Sequence, residues 1–355
     1  MRCVSPGATS HRKIQKHDNP RRKTYRKTQF TARSTIVRNT ETELELTVLL
    51  TVVSGADAVR ESLTALTKQI DFEKSEIIVP FDKWSSNVGS LISEFPGVRF
   101  HFIEDLGFAS DKHMSAHQHR LYDRRRAVGL RLARGRIVAM TEDHARPADD
   151  WVRQMIAAHE QPYDVIGGAI ENGVDSPLNR AWYYCDFGRY GRPFERGEAS
   201  FVSDVNLAYK RTALIATYDL WHEFYQETTV HWAMRSRGNK LFLDDGPVVF
   251  QMRPHLKFGQ AMKERVNWGR VFAETRANNL TALYRFLFSV GTLFLPLVLS
   301  SRVLRHMRRQ RQTIVTIIST LPIAFVLLIC WSVGEFVDYF VGMPKLRRGV
   351  QSRFS

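Results

Sequence analysis

A short apolar run that leads into three ionisable side chains is the feature that most constrains this chain. Ile137–Met140 is uninterrupted and apolar, as expected of a buried strand. Glu142, Asp143 and His144 follow it almost at once. Ligands of open α/β sheets collect at the carboxyl ends of strands, and carboxylate oxygens with an imidazole suit Mn²⁺ or Mg²⁺. The segment therefore predicts a divalent cation site, with an acidic loop before a helix near Asp149 as the alternative.

Strand-like apolar runs alternate along the chain with segments of helical spacing. The other predicted strands are Leu44–Val53, Glu76–Val79, Val98–Ile103, Val165–Ile170, Val205–Tyr209, Lys240–Leu243 and Val248–Gln251. The predicted helices include one with Val59, Leu63 and Leu66 on a single face, then Arg124–Arg134, Trp151–His159 and Thr228–Ser236. This alternation predicts an α/β domain over residues 44–275, with a mostly parallel sheet flanked by helices.

Charge is distributed unevenly. Residues 1–40 contain eleven Lys or Arg against one Asp (+10), and residues 301–355 contain nine against two acidic residues (+7). Because the total is +15, residues 41–300 carry a net charge of −2. The middle of the chain is therefore not a polyanion binder by bulk charge, and no nucleic-acid partner is expected. We interpret residues 1–43 as a disordered basic arm; nucleic-acid binding by that arm is the alternative.

Two apolar segments near the C-terminus predict contact with a membrane. Phe286–Ser300 contains a proline and is short for a bilayer span, whereas Thr313–Val333 has about the required length. Five arginines lie between them, and basic loops prefer the cytoplasm. We expect membrane-associated helices over residues 280–340, with the first segment inserted as a hairpin or at the interface, and a basic tail over 341–355. A buried helical bundle is the alternative.

Four stretches carry a resemblance to a known family. They are LTVVSGADAVRESLTAL, EIIVPFD, RRAVGLRLARGRIVAMTEDHARPADDW and YQETTVHWAMRSRG. In this order and spacing they are similar to the inverting glycosyltransferases of family 2, which have the GT-A fold. They match the opening strand and helix, the strand that usually ends in paired aspartates, the metal motif, and the helix that carries the catalytic base. The resemblance covers about residues 46–270 and implies a nucleotide-sugar donor and a divalent cation.

The resemblance also implies residues that contact the donor. Ser54 and Asp82 fall where the family contacts the nucleoside, and Asp82 as a turn residue is the alternative. Arg126 falls where a basic or polar group often faces the diphosphate; its alternative is a solvated helix face. Asp204 and Asn206 fall where the family contacts donor sugar or acceptor. Glycines at 167 and 168 are expected to let the backbone approach that ligand closely.

The metal motif departs from the family pattern, because Glu142, Asp143 and His144 replace the usual aspartates. On the resemblance, Asp143 lies by the ribose or diphosphate and His144 takes the metal-ligand position. A histidine ligand favours Mn²⁺ over Mg²⁺ and makes binding depend on pH. His255 is a candidate further ligand, with a surface or core histidine as the alternative.

Glu227 is the candidate general base. Counting back from Gly238 places it over the family's catalytic aspartate, whereas Gln226 and Thr229 take positions that are usually acidic. An acidic residue in the first turn also stabilises a helix, and the two roles are compatible. The stretch Arg253–Arg270 follows this region. Three roles stay open for this stretch. It covers the diphosphate, it binds an anionic lipid-linked acceptor, or it is an amphipathic helix that lies at the lipid headgroups of the membrane.

Together these features predict a membrane-associated inverting glycosyltransferase. The donor is expected to be a nucleotide sugar, with UDP favoured, and the acceptor a glycan or lipid-linked hydroxyl. Few and scattered cysteines fit a reducing compartment, so the domain is expected to face the cytoplasm at the inner or cytoplasmic membrane. The alternative is a non-catalytic, membrane-tethered scaffold or binding protein that kept the fold.

Overall fold

Nine strands form a single sheet whose two halves differ in direction. The computed structural model describes residues 44–107, 114–277 and 280–341, so the predictions for residues 1–43 and for the tail after residue 341 lie outside it. The strands are β1 (Leu46–Thr51), β2 (Ser75–Asp82), β3 (Arg99–Ile103), β4 (Ile137–Glu142), β5 (Ala145–Pro147), β6 (Val165–Asn172), β7 (Gly197–Ala199), β8 (Asn206–Lys210) and β9 (Leu241–Gln251). Their order is β3-β2-β1-β4-β8-β6-β9-β5, and β7 pairs with β9.

The predicted parallel arrangement holds for the first half of the sheet and gives way in the second. Strands β3, β2, β1 and β4 are parallel, but β8 runs antiparallel to both β4 and β6. Strands β6 and β9 are parallel to each other, whereas β5 and β7 are antiparallel to β9. The sheet is therefore mixed.

The two central strands bring the acidic motif to the sheet edge. Every residue of β1 and β4 is buried, as their continuous apolar runs require. In their register Thr51 is paired with Glu142, so both strands end at the same level. Asp143 extends the pairing by donating its N–H to the carbonyl of Thr51 at 3.0 Å. The ionisable residues after β4 consequently lie beside the loop that follows β1.

Helices cover both faces of the sheet. They are α1 (Ala56–Thr67), α2 (Met114–Leu132), α3 (Trp151–Ala158), α4 (Pro177–Asp186), α5 (Arg211–Ile215), α6 (Tyr218–Trp221), α7 (Glu227–Ser236), α8 (Phe258–Ala277), α9 (Ala282–Gly291), α10 (Leu295–Arg309) and α11 (Ile314–Val341), with a 3₁₀ helix at Lys83–Leu91. Val59, Leu63 and Leu66 of α1 are buried on one face, as their spacing predicts.

Some elements differ from the sequence-based expectation. The two strands predicted last in the chain form one continuous strand, β9. Where the sequence predicted a gap between them, the register of β9 with β6 is irregular. Helix α4 was not expected. Its start is nevertheless encoded locally: the Ser176 hydroxyl accepts from the N–H of Asn179, and Pro177 occupies the first turn.

The C-terminal helices share the core of the α/β domain. Val303 and Met307 of α10, and Ala324, Leu327 and Leu328 of α11, belong to the same cluster of buried side chains as the residues of β1 and α4. Helices α8 and α11 approach closely because two glycines face the opposite backbone. A Cβ on Gly269 would lie 2.1 Å from the carbonyl oxygen of Trp331, and one on Gly334 would lie 2.1 Å from that of Val266.

Length and composition make α11 the one helix of the described residues that is apolar and long enough to cross a membrane. Helices α9 and α10 meet at a bend of 58°, and together they pass the same test only as a broken span. The sequence predicted two separate segments around a basic loop. In the structure most of that predicted loop is helical and forms the second half of α10. Its exposed arginines therefore lie on a helix.

Candidate active site

Asp143 ties the end of β4 to the loop after β1. Its Oδ2 accepts the backbone N–H groups of Val53, Ser54 and Gly55 at 2.9, 2.7 and 3.0 Å. The side chain is almost fully buried, and its other oxygen, Oδ1, accepts no hydrogen bond but lies 3.4 Å from Nδ1 of His144. One oxygen of Asp143 therefore shapes the loop that carries Ser54, while the second faces His144.

His144 lies between two carboxylates. Its Nε2 is 3.0 Å from Glu142 Oε2, and its Nδ1 is 3.4 Å from Asp143 Oδ1. Burial by itself would lower the pKa of His144, but the charges of Glu142 and Asp143 outweigh it and raise the pKa to about 9. Burial likewise opposes ionisation of Glu142, but His144 and then Arg126 bring its pKa to about 2. The pair is an imidazolium and a carboxylate at neutral pH.

Arg126 joins the acidic motif to the other side of the cleft. Its Nη2 lies 2.5 Å from Glu142 Oε1 and 2.9 Å from Asp204 Oδ2, and its Nη1 is 3.5 Å from Asp123 Oδ1. The guanidinium is 7% exposed. The prediction that Arg126 belongs to the site fits this position. Its direct partners are carboxylates.

Glu227 and Asp204 lie together at the start of α7. Glu227 is the first residue of that helix, and its carboxyl group lies beside that of Asp204. Burial, followed by the neighbouring Asp204 charge, raises the pKa of Glu227 well above its ordinary value. Burial also raises the pKa of Asp204, against the opposing effect of Arg126. The negative charge of each carboxylate therefore disfavours ionisation of the other, which Arg126 partly offsets.

A buried hydrogen-bonded network supports this helix from behind. The hydroxyls of Tyr209 and Tyr225 are 2.6 Å apart, and Tyr209 is 2.8 Å from His231 Nε2. His231 Nδ1 lies 3.9 Å from Glu227 Oε1. Burial lowers the pKa of His231 to about 3, so the ring is neutral. The network holds the first turn of α7 without adding charge beside Glu227.

Asp82 has a structural position that differs from the predicted nucleoside contact. It is fully buried, and its two oxygens lie 2.8 and 3.0 Å from the Nε and Nη2 of Arg125. Asp82 Oδ1 also accepts the N–H of Trp84 and so caps the 3₁₀ helix. Both oxygens are therefore used within the protein, which favours the alternative of a turn residue.

Asn206 and the paired glycines are also part of the packing. Asn206 is fully buried; its amide donates to the carbonyls of Ala169 and Pro247, and it accepts from Trp151 Nε1. A Cβ on Gly168 would lie 2.3 Å from the Asn206 side chain. A Cβ on residue 167 would lie 2.4 Å from the side chain of Val202. In the structure these residues let strands and side chains pack; their contact with a ligand stays a prediction.

The other predicted residues divide between the cleft and the surface. Ser54 is exposed, and its hydroxyl is 3.4 Å from His144 Nδ1. His255 is exposed in the loop after β9, and the described residues include no recorded partner for it. Arg253, near the start of the basic stretch, contributes to the field at Glu142 and pairs with Glu264 at 2.9 Å.

Asp123 is a site residue that the sequence analysis missed. Burial raises its pKa to about 7, against the effect of Arg126. Its position three residues before Arg126 on α2 places both side chains on one helix face, which was the available signal. The cluster thus contains five carboxyl groups around two cationic side chains: Asp123, Glu142, Asp143, Asp204 and Glu227 around Arg126 and His144.

The arrangement fits a cation shared with a ligand better than a cage made of protein. Within the ranges that the structure describes, no group of three or more His, Cys, Asp or Glu side chains is placed to hold a metal ion. Asp143 Oδ1 is nevertheless a buried carboxylate oxygen that accepts no hydrogen bond within the protein, with His144 Nδ1 3.4 Å away. The surplus of carboxyl groups also favours added positive charge. Mg²⁺ and similar ions are commonly bound through one or two carboxylates together with substrate phosphates.

Comparison with known proteins identifies the family. No curated protein matches the sequence significantly. A solved mannosyltransferase from Pyrobaculum calidifontis, in complex with GDP-Man and Mn²⁺, is 14% identical, with 83% of this chain and 87% of that chain covered and a TM-score of 0.49. The sequence profile described as glycosyl transferase family 2 matches residues 47–217, from β1 to the end of α5. Residues 47–217 therefore form a glycosyl transferase family 2 domain, and the chain is a glycosyltransferase with a GT-A fold.

Proposed function

We propose that this glycosyltransferase is an inverting enzyme that moves a sugar from a nucleoside diphosphate to an acceptor hydroxyl. One observation carries the proposal. Arg126 contacts Glu142 on one side and Asp204 on the other, and the charge of Asp204 acts on Glu227. The residues proposed for the diphosphate and the residue proposed as base thus belong to one cluster.

Glu227 acts as the general base in this proposal, with Asp204 as its partner. A carboxylate in this position removes the proton of the acceptor hydroxyl as that oxygen attacks the anomeric carbon. A raised pKa makes Glu227 a stronger base than an exposed glutamate once its own proton has left. Attack by the acceptor itself, opposite the leaving group, inverts the anomeric configuration.

The negatively charged donor is held at the other end of the cleft. The exposed hydroxyl of Ser54 lies next to His144, on the loop whose backbone N–H groups are held by Asp143. Asp143, with Glu142 and His144 beside it, is the group that would hold Mn²⁺ or Mg²⁺ together with the diphosphate. A bound cation supplies charge stabilisation to the leaving group. Asp82, bound to Arg125, is not part of this proposed donor site.

The membrane is the proposed location of the reaction. Seventeen of the 26 exposed large apolar residues in the described ranges lie between residues 280 and 341. Patches of this size usually meet a membrane or a partner. Helix α11 is packed against α8, which carries charged residues such as Lys263 and Glu274, so a bilayer crossing by α11 would take α8 with it. We therefore propose in-plane attachment, with the α/β domain in the cytoplasm.

A screen of nucleotide sugars tests the activity. The full chain, in detergent with Mn²⁺ or Mg²⁺, is incubated with each donor, and slow transfer to water is measured as released nucleoside diphosphate. We expect release from one donor class, and Glu227→Gln should reduce it by about 10²- to 10⁴-fold while nucleotide binding survives. Glu223→Gln, at an exposed position nearby, is the matched control.

Nucleotide binding separates the enzyme from a scaffold that kept the fold. A scaffold would bind neither UDP nor another nucleoside diphosphate in calorimetry with Mn²⁺. Near-normal release by Glu227→Gln would instead show that the base is another residue, and Asp204→Asn would then be examined.

A further inference from the structure

A cavity lies away from the carboxyl cluster, where four helices meet. Its volume is about 320 Å³, within the range of sites for small ligands. The lining residues come from α4 (Cys185, Asp186), α8 (Arg265, Phe272, Arg276), α10 (Leu295, Leu299, Arg302) and α11 (Leu328, Trp331, Glu335). Helices α10 and α11 belong to the C-terminal region with the exposed apolar surface, and α8 adjoins that region.

The floor of the cavity is a buried ion pair with unused hydrogen-bonding capacity. Arg265 is 1% exposed, and its Nη1 lies 2.6 Å from Asp186 Oδ1. The guanidinium carbon lies 4.4 Å from the ring centre of Trp182 and 5.8 Å from that of Trp331. Arg265 Nε and Asp186 Oδ2 are buried and have no hydrogen-bond partner. Such groups are costly unless a ligand or water satisfies them.

The mouth of the cavity is positively charged. Arg302 is exposed, and among the described residues no carboxylate lies within 4.0 Å of it. Arg276 lies over the rings of Phe272 and Phe288 at 4.6 and 5.0 Å. With Arg265 included, three guanidinium groups face two carboxyl groups, those of Asp186 and Glu335. The balance favours an anion.

The walls are apolar and continue into the proposed membrane surface. Leu295, Leu299 and Arg302 follow one another at helical spacing on a single face of α10, so two leucines lie below one arginine. Leu297 and Val298, on the neighbouring face, are 63% and 46% exposed. A ligand that fits both parts has an anionic group and a hydrocarbon chain.

We propose that this cavity binds one anionic phospholipid, with the phosphate at Arg302 and Arg276 and the first acyl carbons along Leu295, Leu299 and Leu328. The proposal rests on the proposed membrane attachment but not on the transfer reaction. The lipid would contact α8, α10 and α11 at the place where these helices meet. It is a bound component of the protein, separate from the donor and the acceptor.

Binding of short-chain lipids to the full chain in a mild non-ionic detergent tests the proposal. Dihexanoyl phosphatidylglycerol is titrated, and binding is followed by native mass spectrometry and by the fluorescence of the tryptophans at the cavity. Dihexanoyl phosphatidylcholine and inorganic phosphate are the comparison ligands. We expect one phosphatidylglycerol per chain and clearly weaker binding of the other two. Equal binding of phosphatidylcholine, or equal binding of phosphate, would overturn the proposal.

Two matched pairs of variants locate the site. Arg302→Gln should weaken binding about fivefold, whereas Arg305→Gln, exposed on the same helix outside the cavity, should leave it unchanged. Leu299→Trp should block binding by filling the cavity, and Leu297→Trp should not. If the members of a pair behave alike, the lipid binds elsewhere. Donor hydrolysis is recorded for every variant, so a failure of the lipid site is distinguished from a failure of the proposed enzyme.

Discussion

Glu227 has its carboxyl group beside that of Asp204, which makes the proposed base one half of a carboxyl pair. The pair is half-buried at the start of α7, and Asp204 contacts Arg126. Because the charge of Asp204 raises the pKa of Glu227, protonation of the proposed base depends on the charge around it. Binding of a donor with its cation would alter that charge at the site where the acceptor must lose a proton.

The raised pKa of Glu227 predicts a stability that depends on pH. In the folded protein Glu227 keeps its proton at pH values where the unfolded chain has already lost it, so stability falls as pH rises above the ordinary glutamate pKa. Glu227→Gln keeps a neutral side chain beside Asp204 and removes this cost. We expect its Tm to exceed that of the wild type, by an amount that grows from pH 4 to pH 8. Thermal unfolding without nucleotide measures this, and a difference independent of pH would contradict it.

Arg126 is expected to matter for folding as well as for activity. Arg126→Met leaves Glu142 and Asp204 buried without their cation, and losing one partner of a buried pair costs about 3–5 kcal/mol. Arg131→Met, on the exposed face of the same helix, should change stability by less than about 0.5 kcal/mol. Urea unfolding compares them. A near-neutral Arg126→Met would mean that the carboxyl groups find protons or other partners.

Removal of divalent cations should weaken nucleotide binding through Asp143. In calorimetry with UDP and GDP, EDTA is expected to reduce the affinity of the wild type by at least about tenfold. Asp143→Asn should show the lower affinity with or without Mn²⁺, because the side chain has lost its charge. Asp149→Asn, exposed in the following loop, should behave as the wild type. Affinity unaffected by EDTA would assign the diphosphate to the cationic side chains alone.

The contact between α8 and α11 predicts a sharp difference between two glycines of one helix. Gly269→Ala places a Cβ 2.1 Å from the Trp331 carbonyl oxygen, so the helices must separate, at a cost of about 1–3 kcal/mol or more. Gly259→Ala meets nothing within 4 Å and should be neutral or stabilising by up to about 1 kcal/mol. Thermal unfolding in detergent compares the two. Equal effects would show that the helices are not held at this contact.

The sequence was most informative where one local pattern determined the structure. The apolar runs of β1 and β4 predicted two central strands and placed Glu142, Asp143 and His144 at the edge of the sheet. The spacing of Val59, Leu63 and Leu66 likewise predicted the buried face of α1. In these cases the apolar residues recur at a fixed spacing, and few secondary structures other than the predicted one can bury them.

The interaction partners of the polar and charged residues could not be predicted from local sequence patterns in the same way. Asp82 pairs with Arg125, which is 43 residues away, and that pairing depends on the packing of α2 beside β2. Asn206 looks like a ligand contact in sequence, but β8 runs antiparallel between β4 and β6 and turns it towards Trp151. Such contacts follow from tertiary packing, which local spacing does not encode.

The shared core of α4, α10 and α11 has a practical consequence for work with this enzyme. Arg309 donates to the carbonyls of Gly188 and Gly191, and Gln310 accepts from the hydroxyl of Tyr184, so the end of α10 closes the loop after α4. A truncated protein that stops near residue 275, made to improve solubility, would lose these contacts and uncover the apolar side of α4. Truncation would therefore cause aggregation rather than release an autonomous enzyme, and purification needs the intact chain.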